Sequence, residues 1–163
     1  MPIDPTIFTE PTATGLNDFV VRAKAATYAG GGGRVAPVRT SSHDLEYREG
    51  ELVYRDSYFG GTDFLGQETV HLGDRPLWGM NYYGYLLTDG ITAFTAGETV
   101  KAALTALYAE GRFLGGFRYT VGDFGYVDES SGTVERFRGV EHILTATGER
   151  AYELRYHGGR ILD

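Results

Sequence analysis

Between residues 16 and 29, Leu16, Phe19, Val20, Ala23 and Thr27 recur at the spacing that gathers side chains on one face of an α-helix. Gly30 to Gly33 follow and supply the left-handed conformations that end a helix without steric cost. A second such stripe, Val100, Ala103, Leu104, Leu107 and Tyr108, predicts a helix over about 96–110 that stops at Gly111. Thr95 and Glu98 stand at the spacing of a capping box for its start. Between the helices, from 43 to 87, the period changes to short aromatic and β-branched runs. Turn signals at Glu49-Gly50, Gly60-Gly61 and Gly73-Asp74 separate them, predicting an antiparallel meander. Strands return from 116 onward, with turns expected at Ser131-Gly132 and Thr147-Gly148. Residues 1–14 carry Pro2, Pro5 and Pro11 without any period and read as a loose tail, and 30–42 as a mobile loop.

The order helix, four strands, helix, four strands suggests a duplicated unit. LEYREGELVYRDS (45–57) aligns without gaps to FRYTVGDFGYVDE (117–129), a shift of 72 that matches Tyr54 with Tyr126 and Asp56 with Asp128. GQETVHLGDRPLWGMNYYG (66–84) resembles GVEHILTATGERAYELRYHG (139–158), matching Gly66, Glu68 and Tyr82 with Gly139, Glu141 and Tyr156. The helices end alike, in TYAGG and LYAEG. The expected fold is therefore α+β: a single domain over 15–163 made of two helix-plus-four-strand repeats, about 16–87 and 96–162, with two helices packed on antiparallel sheet. Positions present in both copies are best explained by architecture. Those special to one copy are the better functional candidates.

Composition narrows the chemistry. The 163 residues include 24 glycines, 12 tyrosines and no cysteine, which excludes disulfide scaffolds, thiolate nucleophiles and cysteine-based metal sites. Only Lys24 and Lys101 are lysines and the net charge is −7, so direct nucleic-acid binding is not expected. No apolar run has the length of a membrane span and the opening segment is not a signal peptide, so a cytoplasmic protein is expected. No lysine follows a glycine run, no G-x-S-x-G elbow exists, and the four histidines lack metal-ligand spacing. Neither a cofactor, a metal nor a catalytic residue is predicted.

The richest polar constellation holds His43, Asp56, Asp63, Gln67 and Glu68, with Tyr54 and Tyr58 interleaved. Strand alternation projects Tyr54, Asp56 and Tyr58 to one side, with Arg55 and Ser57 opposite. Such a face is either a solvated sheet surface or the lining of a cleft, in which tyrosines supply flat walls and the acids orient a polar ligand. A second cluster comprises Trp78, Asn81 and Tyr83; Trp78 is either a core anchor or part of that lining. His157, the repeat counterpart of Tyr83, is expected at the same sheet edge as Tyr83.

The strings SHDLEYREGELVYRDSYFGGTDFLGQE, WGMNYYGYLL, ALYAEGRFLGGFRY and YELRYHGG resemble a bacterial family catalogued as domain of unknown function 5680, over about 16–162. The resemblance implies no activity and transfers no catalytic residue. It does imply association with transcriptional regulators, in which such domains sit behind a helix-turn-helix unit. The short, proline-rich N-terminus here does not match such a unit. A binding module for a small polar or aromatic ligand, acting as sensor or accessory, is the first reading. The alternatives are an acidic interaction partner of the immunity or antitoxin kind, and a small acid–base enzyme using Asp56 or Asp63 with His43 or His157. Homodimerisation is left open.

Overall fold

Thr12 opens the first helix: its hydroxyl accepts a hydrogen bond from the Gly15 backbone N–H at 3.1 Å, satisfying a donor that has no partner within the helix. In this computed structural model, which describes residues 9–163, helix α1 runs Ala13–Ala26. It starts three residues before the apolar stripe because Thr12 provides a cap there. Leu16, Phe19, Val20, Ala23 and Thr27 are all fully buried, as the period predicts. The second helix, α2, runs Ala93–Ala109 and is capped by Thr92, which accepts from the Thr95 N–H at 3.1 Å. The expected Thr95–Glu98 box is thus displaced by one turn, and Glu98 instead approaches Lys101 at 4.0 Å. Neither helix is long and apolar enough to cross a membrane.

The described residues also form nine strands: β1 Arg34–Val35, β2 His43–Glu49, β3 Leu52–Gly60, β4 Phe64–Leu72, β5 Arg75–Leu86, β6 Phe117–Val121, β7 Phe124–Thr133, β8 Arg136–Leu144 and β9 Arg150–Arg160. They make one antiparallel sheet in the order β1-β2-β3-β4-β5-β9-β8-β7-β6. The fold is α+β and mostly sheet. Gly50 and Gly122 turn the β2–β3 and β6–β7 hairpins with φ of 58° and 57°, the left-handed region glycine reaches most easily.

Three expectations change. The segment 30–42 is not wholly loop, since Arg34 and Val35 pair with Leu45 and Asp44. The turn expected at Ser131-Gly132 falls at Val134-Glu135, because β7 continues to Thr133. Val134 is buried there, and its carbonyl accepts a 2.9 Å hydrogen bond from the Trp78 indole. Finally, the tail expected over 1–14 lies partly outside the described residues, but Glu10 is tied to Arg75 at 2.9 Å and to Arg160 at 2.6 Å.

The buried faces of α1 and α2 belong to the same hydrophobic cluster as Tyr54, Trp78, Tyr126 and Ile143 of the sheet. Trp78 is fully enclosed, stacked on Phe137 with centroids 5.8 Å apart and edge-on to Phe113 at 6.1 Å. At the middle of the sheet β5 pairs antiparallel with β9, and Tyr82 stands directly opposite Tyr156. The strands on either side of this pair carry matching residues at matching places. Asp56 faces Glu68 across β3 and β4, and Asp128 faces Glu141 across β7 and β8.

Candidate functional site: a tyrosine-walled cavity with four carboxyl groups

Alternation along the strands decides which side chains meet. Tyr54, Asp56 and Tyr58 of β3, Glu68 of β4, and Met80 and Tyr82 of β5 emerge on one face. Tyr126 and Asp128 of β7, Glu141 of β8, and Tyr152, Leu154 and Tyr156 of β9 emerge on that face of the other half. Together with Lys24 and Tyr28 and with Val100, Leu104 and Tyr108 of α2, they line a cavity of about 230 Å³. Gly60, Gly61 and Thr62, at the β3–β4 turn, are exposed lining residues, and Ala93 and Gly97 of α2 are half-buried ones. These five place the opening of the cavity beside the start of α2.

Each aspartate is held by a tyrosine of its own half. The Tyr82 hydroxyl donates to Asp56 Oδ1 at 2.6 Å, and the Tyr156 hydroxyl donates to Asp128 Oδ1 at 2.7 Å. Both rings lie over a glycine. A Cβ on Gly66 would come within 2.2 Å of the Tyr82 hydroxyl, and one on Gly139 within 2.1 Å of the Tyr156 ring. Any side chain there would displace the tyrosine from its aspartate. The shared glycines therefore serve the carboxyl sites.

The two halves differ at the glutamates. Lys24 reaches in from α1 and donates to both Glu68 oxygens at 2.7 and 2.6 Å, forming a buried ion pair. Among the described residues no basic side chain forms an ion pair with Glu141, although Lys24 favours its charged form from a distance; Glu141 Oε2 is buried without a hydrogen-bond partner, as are Asp128 Oδ2 and the hydroxyls of Tyr54 and Tyr126. The Tyr126 hydroxyl lies near enough to Glu141 to favour its charged form, yet it completes no hydrogen bond.

Burial dominates the acid–base behaviour, because a carboxylate loses its hydration there. It pushes Asp56 up to about 7, with Glu68 adding to the rise while the Tyr82 hydrogen bond and Lys24 oppose it. Asp128 rises to about 6, chiefly by burial and against the Tyr156 hydrogen bond. Glu141 rises to about 8, by burial and then by the neighbouring Asp128. Burial also drives the hydroxyls of Tyr54, Tyr82, Tyr108, Tyr126 and Tyr152 well above their ordinary value, so they are neutral donors at any physiological pH. The cavity thus offers flat aromatic walls, hydroxyl donors, and carboxyl groups that exchange protons near neutrality. Among the described residues, no three His, Cys, Asp or Glu side chains are placed to hold a metal ion.

Of the residues singled out in the sequence, Tyr54, Asp56, Tyr58 and Glu68 line this cavity. Trp78 is enclosed in the core beside it. His43 starts β2 with its ring 5.0 Å from that of Tyr58, exposed and outside the lining, and Asp63 is exposed in the β3–β4 turn. Gln67, Asn81, Tyr83 and His157 emerge on the opposite face, where the Gln67 amide donates to Asn81 at 2.8 Å. His157 stands across from Asn81 on the central strand pair, so it is not at a sheet edge as expected. It is also separated from Asp56 by the sheet, because alternation turns it away from its neighbour Tyr156. Among the described residues, the lining contains no histidine.

Lys24, Asp128, Glu141, Tyr126 and Tyr156 are cavity residues that the sequence reading passed over. Two signals pointed to them: a lysine on the predicted apolar face of α1, and acids repeated at inward-facing strand positions.

The fold and site define an α+β protein whose single antiparallel sheet, with residues from two helices, lines an acidic, tyrosine-walled cavity. The chain belongs to the family described as Domain of unknown function (DUF5680), whose model matches residues 56–161. That span contains all four cavity acids but not α1 or its Lys24. No curated protein and no solved structure matches the chain.

Proposed function

We propose that the chain is a small-molecule-binding module, a cytoplasmic sensor or accessory unit, built from two duplicated halves whose helices cover one face of the sheet. The cavity carries this reading. Eight tyrosines line it, and they surround buried carboxyl and hydroxyl oxygens that lack partners among the described residues. Buried polar groups are nearly always satisfied, so oxygens left free in a roomy cavity suit a ligand with donors of its own. Duplication is supported by the Tyr82–Asp56 and Tyr156–Asp128 bonds, which recur at matching positions. A role in sensing for transcriptional regulation agrees with the resemblance to regulator-associated domains.

The test is a thermal-shift screen of aromatic and polar fragments against the wild-type chain and Gly97→Leu. Gly97 lies on α2 beside the opening with free space around its Cβ position, so a leucine side chain starts in open space and narrows the entrance. Leucine also favours the helix over glycine by about 1 kcal/mol. The expected result is stabilisation of the wild type by some fragments and loss of that response in a variant at least as stable. Fragments that stabilise both proteins equally would contradict a cavity site.

A further inference from the structure

Comparison of the two halves points to the charge of the ligand. Aligning the helix ends TYAGG and LYAEG puts Lys24 in register with Leu104. In the first half Asp56 and Glu68 face each other across two strands, and Lys24 pairs with Glu68. In the second half Asp128 and Glu141 face each other in the same way, and the matching helix position is Leu104, an apolar cavity-lining residue. Glu141 is 8% exposed, lines the cavity, and has one oxygen unpartnered. Like charges directly opposite on neighbouring strands repel, and an uncompensated buried carboxylate is costly.

Resting on the binding-module reading, we infer that the ligand is an organic ammonium ion with an apolar or aromatic body, whose nitrogen sits beside Glu141 and Asp128 as Lys24 Nζ sits beside Glu68. The body lies against Leu104, Tyr108, Tyr152 and Leu154, and the ammonium hydrogens supply donors to Glu141 Oε2 and Asp128 Oδ2. Among the described residues, the charged groups lining the site are Asp56, Glu68, Asp128 and Glu141 against Lys24. With Lys24 engaged by Glu68, an added cation meets an excess of acids. An ammonium beside Glu141 favours its charged form and so opposes the rise that burial causes.

The experiment is calorimetric titration of the full chain with 2-phenylethylammonium and, in parallel, with the neutral isostere 2-phenylethanol. Two variants accompany the wild type. Glu141→Gln removes the ionisable carboxyl group at nearly constant shape, and Leu104→Lys supplies in the second half the lysine of the first. The expected result is amine binding at least about tenfold tighter than alcohol binding, the margin a charge-assisted hydrogen bond provides. Glu141→Gln cuts that preference by at least about threefold, Asp128 remaining as a second acceptor, and weakens the amine more than the alcohol. Leu104→Lys weakens the amine through its own ammonium. Equal binding of amine and alcohol, or an amine affinity unchanged in both variants, overturns the ammonium assignment and leaves the cavity reading intact. Absence of binding by the amine overturns the assignment as well. Failure of the cavity reading is separate: there, no neutral fragment responds to narrowing of the entrance at Gly97.

Discussion

Tyr82 and Tyr156 face one another across the central strand pair, and each hydroxyl turns away from the other to donate to an aspartate of its own half, Asp56 at 2.6 Å and Asp128 at 2.7 Å. One cross-strand pair therefore organises both carboxyl sites. Removing either hydroxyl leaves a buried aspartate short of a donor, which costs about 1–3 kcal/mol. Tyr82→Phe and Tyr156→Phe are each expected to lower unfolding free energy by that amount in urea titrations. Unchanged midpoints in both variants would show that the two bonds contribute nothing.

Gly66 and Gly139 make that arrangement sterically feasible. Alanine at either site meets a tyrosine ring at about 2.1–2.2 Å and forces it off its aspartate. Overpacking of this kind costs about 1–3 kcal/mol. Gly50→Ala, at a turn with open space around the Cβ position, suffers only the strain of its left-handed backbone. A shift in tyrosine near-ultraviolet circular dichroism is expected for Gly66→Ala and Gly139→Ala, but not for Gly50→Ala.

Lys24 and Glu68 form a buried ion pair at 2.6 Å. Lys24→Met leaves Glu68 buried and unpaired, and losses of about 3–5 kcal/mol accompany such a change. Adding Glu68→Gln removes the stranded charge and is expected to restore much of the stability. A double variant no more stable than Lys24→Met would argue that lysine acts through packing alone.

Asp56 and Glu141 bind protons more tightly in the folded chain than in the unfolded one, with values raised from 3.8 to about 7 and from 4.5 to about 8. Between those limits the folded state holds more protons, so stability falls as pH rises from about 4 to about 8. Glu153 acts in the opposite direction. Hydrogen bonds from Arg155 and Tyr85 lower it to about 2, so its contribution is present above about 4.5 and lost as pH falls through about 2. Denaturant titrations across pH should therefore show a decline toward mildly basic pH that Glu141→Gln reduces. A profile that rises from pH 5 to pH 8 would contradict the burial of these acids.

Much of the fold is legible in the chain. Both helical stripes carry large apolar residues at a 3.6-residue period, and burial follows that period at all ten named positions. Hairpins are legible where glycine reaches φ near +58°, as at Gly50 and Gly122. Helix starts are less so, because Thr12 and Thr92 cap about one turn ahead of the starts expected near 16 and 96. The site is legible only in part. Alternation turns Tyr54, Asp56 and Tyr58 inward together, but treating single-copy residues as functional selects Gln67, Asn81, Tyr83 and His157 on the opposite face. The cavity acids occur in both halves, and a rule that assigns shared positions to architecture passes over Asp128 and Glu141. Lys24 is hidden for another reason: a lysine within an apolar stripe reveals its role only when the sheet brings Glu68 beneath it.

The most direct test of the central claim is a nuclear magnetic resonance titration of the labelled chain with the aromatic fragments that stabilise it. A cavity site predicts that resonances of Tyr54, Tyr82, Tyr126, Tyr156 and Leu104 shift together and saturate with one affinity, while Gln67, Asn81 and His157 stay fixed. Shifts confined to Gln67, Asn81 and His157, with the cavity tyrosines unmoved, would contradict it.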